Sequence, residues 1–165
     1  MAMHETSNTN VPKRSFFNVV VGTGLLAGLL DGMGAIINYL IKGGEHPEKI
    51  FNFIASGVFG KDGLTGGDKM VLLGVIFHLS IAFIWTMLFF LIYPKIKLLS
   101  KNRIATGFFY GLIIWVIMTR VVLPLSNAPK IPFDWAQAII GMLILVVAIG
   151  LPISFIADRY YSRKS

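Results

Sequence analysis

Three ionisable residues, Asp31, His78 and Arg120, lie in three different apolar stretches of this chain. A carboxylate at the centre of a bilayer costs at least about 2.5–3.5 kcal/mol on insertion scales, so it is expected to face the protein interior and find a partner. Histidine titrates near neutral pH, and carboxylate–imidazole sets recur in membrane proton relays. These residue types therefore predict proton or ion handling, or pH sensing.

The depth of these residues predicts that they meet in one intramembrane polar cluster. At about 1.5 Å of helix rise per residue, all three fall about 22–24 Å from the expected cytoplasmic surface. Asn38, two turns farther out, would extend the cluster. In this hypothesis Asp31 accepts the proton, His78 is the titrating switch and Arg120 is the counter-charge. The alternative is a salt-bridge cluster that only fixes helix register, with Arg120 snorkelling to the outer surface.

The elements that must position these residues are long and apolar. Of the 165 residues, 55% are hydrophobic and only 14% are charged, whereas a soluble domain averages about 25% charged residues. Apolar stretches at about 16–41, 70–93, 104–123 and 135–157 are each near the roughly 20 residues that cross a bilayer core. Helix satisfies the backbone within each stretch. The predicted fold class is an all-α, polytopic membrane protein, with a four-helix transmembrane domain over residues 16–158.

The first outer loop is expected to contain a further short helix at about 47–59. Its apolar residues recur at helical spacing, and proline in the first turn suits a helix start. The stretch is too short to span, which predicts an interfacial helix on the outer face. The residues of its apolar face are Ile50, Phe51, Phe53, Ile54, Val58 and Phe59.

The second outer loop contains Pro124, Pro129 and Pro132. Proline disrupts helix interiors, so this loop is predicted to be stiff and to continue neither neighbouring helix. Asp134 is expected to cap the last helix, with Gln137 as its capping-box partner.

Glycines indicate where helices approach closely. They recur at four-residue spacing on the first and third apolar helices, and small residues on one face are the main packing device in lipid. The sequence leaves open whether the partner helix belongs to the same chain or to a second copy. The predicted packing residues are Gly24, Gly28, Gly32, Gly107 and Gly111.

Basic residues predict the orientation, because Lys and Arg concentrate in cytoplasmic segments. They are found before the first helix, between the second and third helices, and at the end of the chain. This predicts a multi-pass protein with a disordered cytoplasmic tail at 1–15 and a basic cytoplasmic tail at 159–165. Four lysines in the first outer loop oppose the assignment, although acidic residues accompany them. The orienting residues are Lys13, Arg14, Lys95, Lys97, Lys101, Arg103, Arg159, Arg163 and Lys164.

Other classes of function find little support in the sequence. The chain has no cysteine, and no two histidines share a metal-ligand spacing. Ser80, two residues from His78, points elsewhere on a helix, so no serine–histidine–acid set can be placed. We expect no enzyme activity, metal or cofactor. The net charge of +7 comes without a nucleic-acid-binding motif, so no nucleic-acid partner is expected.

Short motifs resemble the YagU-like family of bacterial inner-membrane proteins. They are Tyr93-Pro94-Lys95-Ile96-Lys97-Leu98, a following helix with Gly107, then Pro124, together with Gly24-Leu25-Leu26-Ala27-Gly28 and His78. The resemblance implies a bacterial inner membrane and a loose link to acid tolerance in a family of unknown biochemical function. It implies no catalytic residues, and the longer, cysteine-containing first outer loop of the family is missing here.

The leading functional hypothesis is a small non-enzymatic inner-membrane protein that handles protons or ions, or senses pH, in envelope stress. One alternative is a structural or accessory subunit of a larger membrane complex, which would dock through the glycine stripe and the outer helix. Another is a lipid- or quinone-binding protein with its pocket between the outer helix and the bundle. The expected partners are the lipid bilayer and either a second copy of the chain or another membrane protein.

Overall fold

The computed structural model describes residues 15–162, and their regular structure is entirely helical. Four helices are long and apolar enough to cross a membrane, which confirms the prediction of an all-helical fold with four such elements. The helices are α1 (Phe16–Ile41), α2 (Lys49–Phe59), α3 (Lys61–Thr65), α4 (Gly67–Ile92), α5 (Arg103–Leu125) and α6 (Trp135–Ser162). Most of the expected tail at 1–15 and the last three residues of the expected tail at 159–165 lie outside the described residues. The residues concerned are 1–14 and 163–165, which include Lys13, Arg14, Arg163 and Lys164.

Helix α6 continues beyond the apolar stretch that predicted it. It ends at Ser162 rather than near residue 157, so Arg159 belongs to the helix and not to a separate tail. The reason is packing: Tyr160 is buried, and its ring lies 6.0 Å from that of Phe90 on α4. Helix α4 begins at Gly67, three residues earlier than expected, and α2 begins at Lys49.

The four long helices run alternately up and down. The ring of Phe16 at the start of α1 lies 6.2 Å from the rings of Phe90, near the end of α4, and Tyr160, near the end of α6. The first turn of α5 lies at the same end, because Ser154 Oγ donates to the Arg103 carbonyl at 2.8 Å. We call this end of the bundle the basic end. The opposite end contains α2, α3 and the segment 126–134.

An apolar core with tyrosine cross-links fills the half of the bundle nearer the basic end. Val20, Ala27 and Phe90 are all fully buried there. Hydroxyl groups join the helices around this core: Tyr110 Oη donates to the Trp85 carbonyl and Tyr161 Oη to the Phe90 carbonyl, each at 2.6 Å. Close packing and interhelical hydrogen bonds of this kind are what hold apolar helices together where lipid replaces water.

The prolines inside α5 and α6 are each preceded by a π-helical turn. A π-helical turn at Met118–Val122 precedes Pro124, and another at Val146–Gly150 precedes Pro152. Proline lacks an N–H and its ring clashes with the carbonyl four residues earlier, and a wider turn relieves that clash. The expectation that Pro124 lies in the loop is wrong, because the helix absorbs it and ends at Leu125.

The backbones of α5 and α6 lie close together at two glycines of α5. A Cβ atom on Gly107 would lie 2.9 Å from Leu151 Cα, and one on Gly111 would lie 2.5 Å from Val146 Cα. Neither neighbour is the movable end of a side chain, so the backbones themselves would have to separate. The two glycines therefore set the distance between α5 and α6.

We expect Gly111→Ala to destabilise the bundle by about 1–3 kcal/mol, the usual cost of overpacking a filled interior. Gly22→Ala is the matched control, since a Cβ on Gly22 in α1 meets no atom within 4 Å. Thermal unfolding in detergent, followed by circular dichroism, measures both. Equal melting temperatures for the two variants would contradict close backbone packing at Gly111.

Candidate functional site

The glycine stripe of α1 lies directly on α4. A Cβ on Gly24 would lie 3.2 Å from Phe83 Cα, and one on Gly28 would lie 3.1 Å from Ala82 Cβ. A Cβ on Gly32 would lie 3.3 Å from His78 Nε2. The partner of the stripe is thus a helix of the same chain.

This close contact brings Asp31 and His78 together. His78 Nε2 lies 3.9 Å from Asp31 Oδ2, and the two side chains are 15% and 16% exposed. The same nitrogen lies 2.9 Å from the Gly28 carbonyl oxygen. Because a carbonyl only accepts, Nε2 carries a hydrogen and donates it. Proton uptake at Nδ1 would therefore charge the imidazole without breaking this bond, placing a cation beside the Asp31 carboxyl group.

Helix α2 covers the histidine from the side. The Phe51 ring lies 6.2 Å from the His78 ring in an edge-to-face arrangement. The two helices cross at Gly74, where a Cβ would collide with the Phe51 carbonyl group. Any movement of α2 across α4 would therefore change the surroundings of the imidazole.

Two asparagines hold α2 in place. Asn52 Nδ2 donates to the Gly63 carbonyl in α3 at 3.1 Å. Asn127, from the segment before α6, donates its backbone N–H to Gly57 O at 2.9 Å and its side-chain amide to Val58 O at 3.0 Å. The two bonds from Asn127 satisfy carbonyls in the last turn of α2 that would otherwise be unpaired, and the bond from Asn52 joins α2 to α3.

The apolar face expected on α2 is only partly covered by the protein. Ile50, Phe51, Phe53 and Ile54 are half-buried, whereas Val58 and Phe59 are 56% and 41% exposed. The residues that α2 buries fully are smaller: Asn52, Ala55 and Ser56. Sequence reasoning missed Asn52, whose only signal was an amide within an apolar run.

Arg120 does not join Asp31 and His78, so the described residues contain no buried three-residue charged cluster. The arginine is exposed, and its guanidinium carbon lies 5.2 Å from the Phe133 ring centroid. Depth along a helix does not fix the direction in which a side chain points. Helix α5 turns Gly107 and Gly111 towards α6, and Arg120 follows on a different face.

Asn38 likewise has a different partner from the one expected. Its Nδ2 donates to Gln137 Oε1 in α6 at 3.1 Å, so it does not extend the Asp31–His78 pair. Asp134 caps α6 as predicted, accepting from the N–H groups of Ala136 and Gln137 at 2.8 and 3.3 Å. The Gln137 side chain bonds to α1 instead of completing a capping box.

A substitution at the crossing of α2 and α4 tests the cover over His78. Gly74→Ala should displace Phe51 and raise the rate at which diethyl pyrocarbonate modifies His78 several-fold, because the imidazole loses its apolar neighbour. Peptide mass spectrometry resolves His78 from the exposed His46. Gly22→Ala should leave the rate unchanged. An unchanged rate in folded Gly74→Ala protein would show that α2 does not shield the histidine.

Comparison of the chain with known protein families, with curated proteins and with solved structures gave no significant match. The resemblance to the YagU-like proteins thus stays a prediction, and the functional argument depends on the geometry of the Asp31–His78 pair.

Proposed function

We propose that this chain is an integral membrane protein that senses pH through the Asp31–His78 pair. The observation that carries the proposal is the 3.9 Å approach of His78 Nε2 to Asp31 Oδ2 between two helices long and apolar enough to span a membrane. An ionisable pair in such a setting is costly and is typical of a functional site.

The outward surface of the long helices supports the membrane location. Large apolar side chains stand exposed on all four, and a soluble protein of this size rarely presents such continuous apolar area. Examples are Leu29 on α1, Leu72 on α4, Phe109 on α5 and Val147 on α6, each 58–61% exposed. Acyl chains would cover this surface.

The charges favour placing the basic end in the cytoplasm, and the inner membrane of a bacterium is the location we propose. Among residues 15–162, five lysines and arginines lie at that end: Lys95, Lys97, Lys101, Arg103 and Arg159. Among the described residues its only acid is Asp158. At the opposite end, five lysines and Arg120 are nearly balanced by five acidic residues: Glu45, Glu48, Asp62, Asp68 and Asp134. The positive-inside rule then places both termini inside.

Labelling in intact cells tests this orientation, and the cysteine-free chain permits single substitutions. A membrane-impermeant maleimide should label Lys61→Cys in intact cells, because α3 would face outwards. Lys101→Cys, at the basic end, should react only after permeabilisation. The reverse pattern would invert the topology. Labelling of both positions in intact cells would contradict a spanning arrangement.

Proton uptake would strengthen the contact between α1 and α4. Two opposite unit charges about 4 Å apart attract by about 4 kcal/mol at an effective dielectric constant of about 20. The surrounding elements add no further charge at this point: α2 presents Phe51, and α6 meets Gly34 of α1 with Ile144. With Asp31 ionised, protonation of His78 would therefore form an ion pair between them, and loss of that proton would weaken the contact; stronger acid would neutralise the carboxylate and remove the pair.

The apolar core favours sensing over conduction. Between the pair and the basic end lie Val20, Ala27, Phe90 and Ile114, each 0–1% exposed. The buried hydroxyls at this level belong to Thr23 and Thr86, and each donates to a carbonyl of its own helix, at 2.7 and 2.8 Å, rather than to a group on a neighbouring helix. Of the two docking surfaces in the accessory-subunit hypothesis, the glycine stripe is occupied by α4 of the same chain, and the outer helix α2 still exposes Val58 and Phe59.

Electron paramagnetic resonance distances would detect the proposed response. Nitroxides at Leu72→Cys on α4 and Leu29→Cys on α1, both exposed positions, should give a narrower distance distribution at about pH 5 than at about pH 8, because the ion pair tightens the contact between α1 and α4. Asp31→Asn and His78→Gln should remove the difference, and Ser80→Ala, an exposed residue on α4, should keep it. A pH response that persists in His78→Gln would refute the proposal.

Proton flux in liposomes loaded with a pH dye separates sensing from conduction. We expect wild-type flux no greater than that of empty vesicles. Flux that depends on His78 would replace the sensing proposal by a conduction mechanism.

A further inference from the structure

A groove of about 530 Å³ opens at the basic end, between the start of α5 and the end of α6. Its lining combines two arginines and one carboxylate with an apolar wall. The residues are Arg103, Phe155, Ile156, Asp158, Arg159 and Ser162. Such a lining suits a ligand that is anionic at one end and apolar at the other.

Arg103 is held in position but remains open to a ligand. Its guanidinium carbon lies 4.7 Å from the Phe155 ring centroid, and Nη1 lies 3.7 Å from Asp158 Oδ2. The side chain is still 54% exposed. Arginine presents five N–H donors in a planar fork, so donors remain free for a phosphate.

The carboxylate in the groove is already engaged by the protein. Asp158 Oδ1 accepts from Tyr93 Oη at 2.9 Å, while Oδ2 faces Arg103. It therefore orients Arg103 and offsets one positive charge. Arg159 is exposed and has no ion pair among residues 15–162, so it supplies the second cation.

We propose that this groove binds the phosphodiester headgroup of an anionic phospholipid. The groove lies at the ends of two apolar helices, where a headgroup would lie beside the protein, and Phe155, 36% exposed, would contact the glycerol and upper acyl region. Basic pockets between membrane helices on the cytoplasmic side suit such headgroups, and arginine matches phosphate by bidentate hydrogen bonds. The proposal depends on the membrane location but not on pH sensing.

Native mass spectrometry of the full chain, released from detergent with phosphatidylglycerol or phosphatidylcholine, tests the site. Wild type should retain phosphatidylglycerol preferentially. Arg103→Gln/Arg159→Gln should lose at least about tenfold in affinity, as expected when charge-assisted hydrogen bonds are removed. The matched control is Lys61→Gln/Lys69→Gln, which removes the same charge at the opposite end and should change affinity less than about twofold.

Two further measurements keep the test decisive. The single variant Arg159→Gln breaks no ion pair among the described residues, so it should fold normally and still bind phosphatidylglycerol several-fold more weakly. Inorganic phosphate at millimolar concentration should not displace the lipid. Equal retention of both lipids, equal loss in the lysine control, or displacement by phosphate alone would overturn the headgroup site, while the pH response at Asp31 and His78 would be unaffected.

Discussion

The contact between α1 and α4 at the glycine stripe is the interaction on which the site depends. Lipid tails are as apolar as leucine, so helices in a bilayer associate through close packing and interhelical hydrogen bonds. Gly28 serves both purposes, since its Cα packs near Ala82 and its carbonyl accepts from His78. A Cβ at Gly32 would lie 3.3 Å from His78 Nε2, so the imidazole would have to shift relative to the Gly28 carbonyl and Asp31.

The helices were predictable from the sequence because length and hydropathy alone decide whether a segment can cross a bilayer. The cap at Asp134 was predictable for a similar reason, since the signal is local. The position of Pro124 was predicted wrongly because the rule that proline disrupts a helix considers only the local chain. In the folded protein the helix keeps its packing partners and widens into a π-helical turn before the proline. The extension of α6 to Ser162 was hidden in the same way, because Tyr160 is held by contacts with residues far away in sequence.

The candidate site was predictable only in part. The comparison of depths correctly predicted that Asp31 lies near His78, because depth in two neighbouring antiparallel helices is measured from the same surface. It failed for Arg120 and Asn38, because depth contains no information about rotation around the helix axis. The hydrogen bond between Tyr93 and Asp158 had one weak signal, a single acid among basic residues, and nothing in the sequence related it to a tyrosine 65 positions earlier.

A simple energetic argument speaks against cohesion as the sole role of the polar pair. Three glycines and a closed apolar core already hold α1 against α4, and replacing a buried ion pair by well-packed apolar residues is often neutral or stabilising. Packing would therefore be served as well by leucine or alanine at these positions. In the proposed function, what Asp31 and His78 add is a helix contact whose strength depends on protons. That dependence is the property that an apolar substitute would lack.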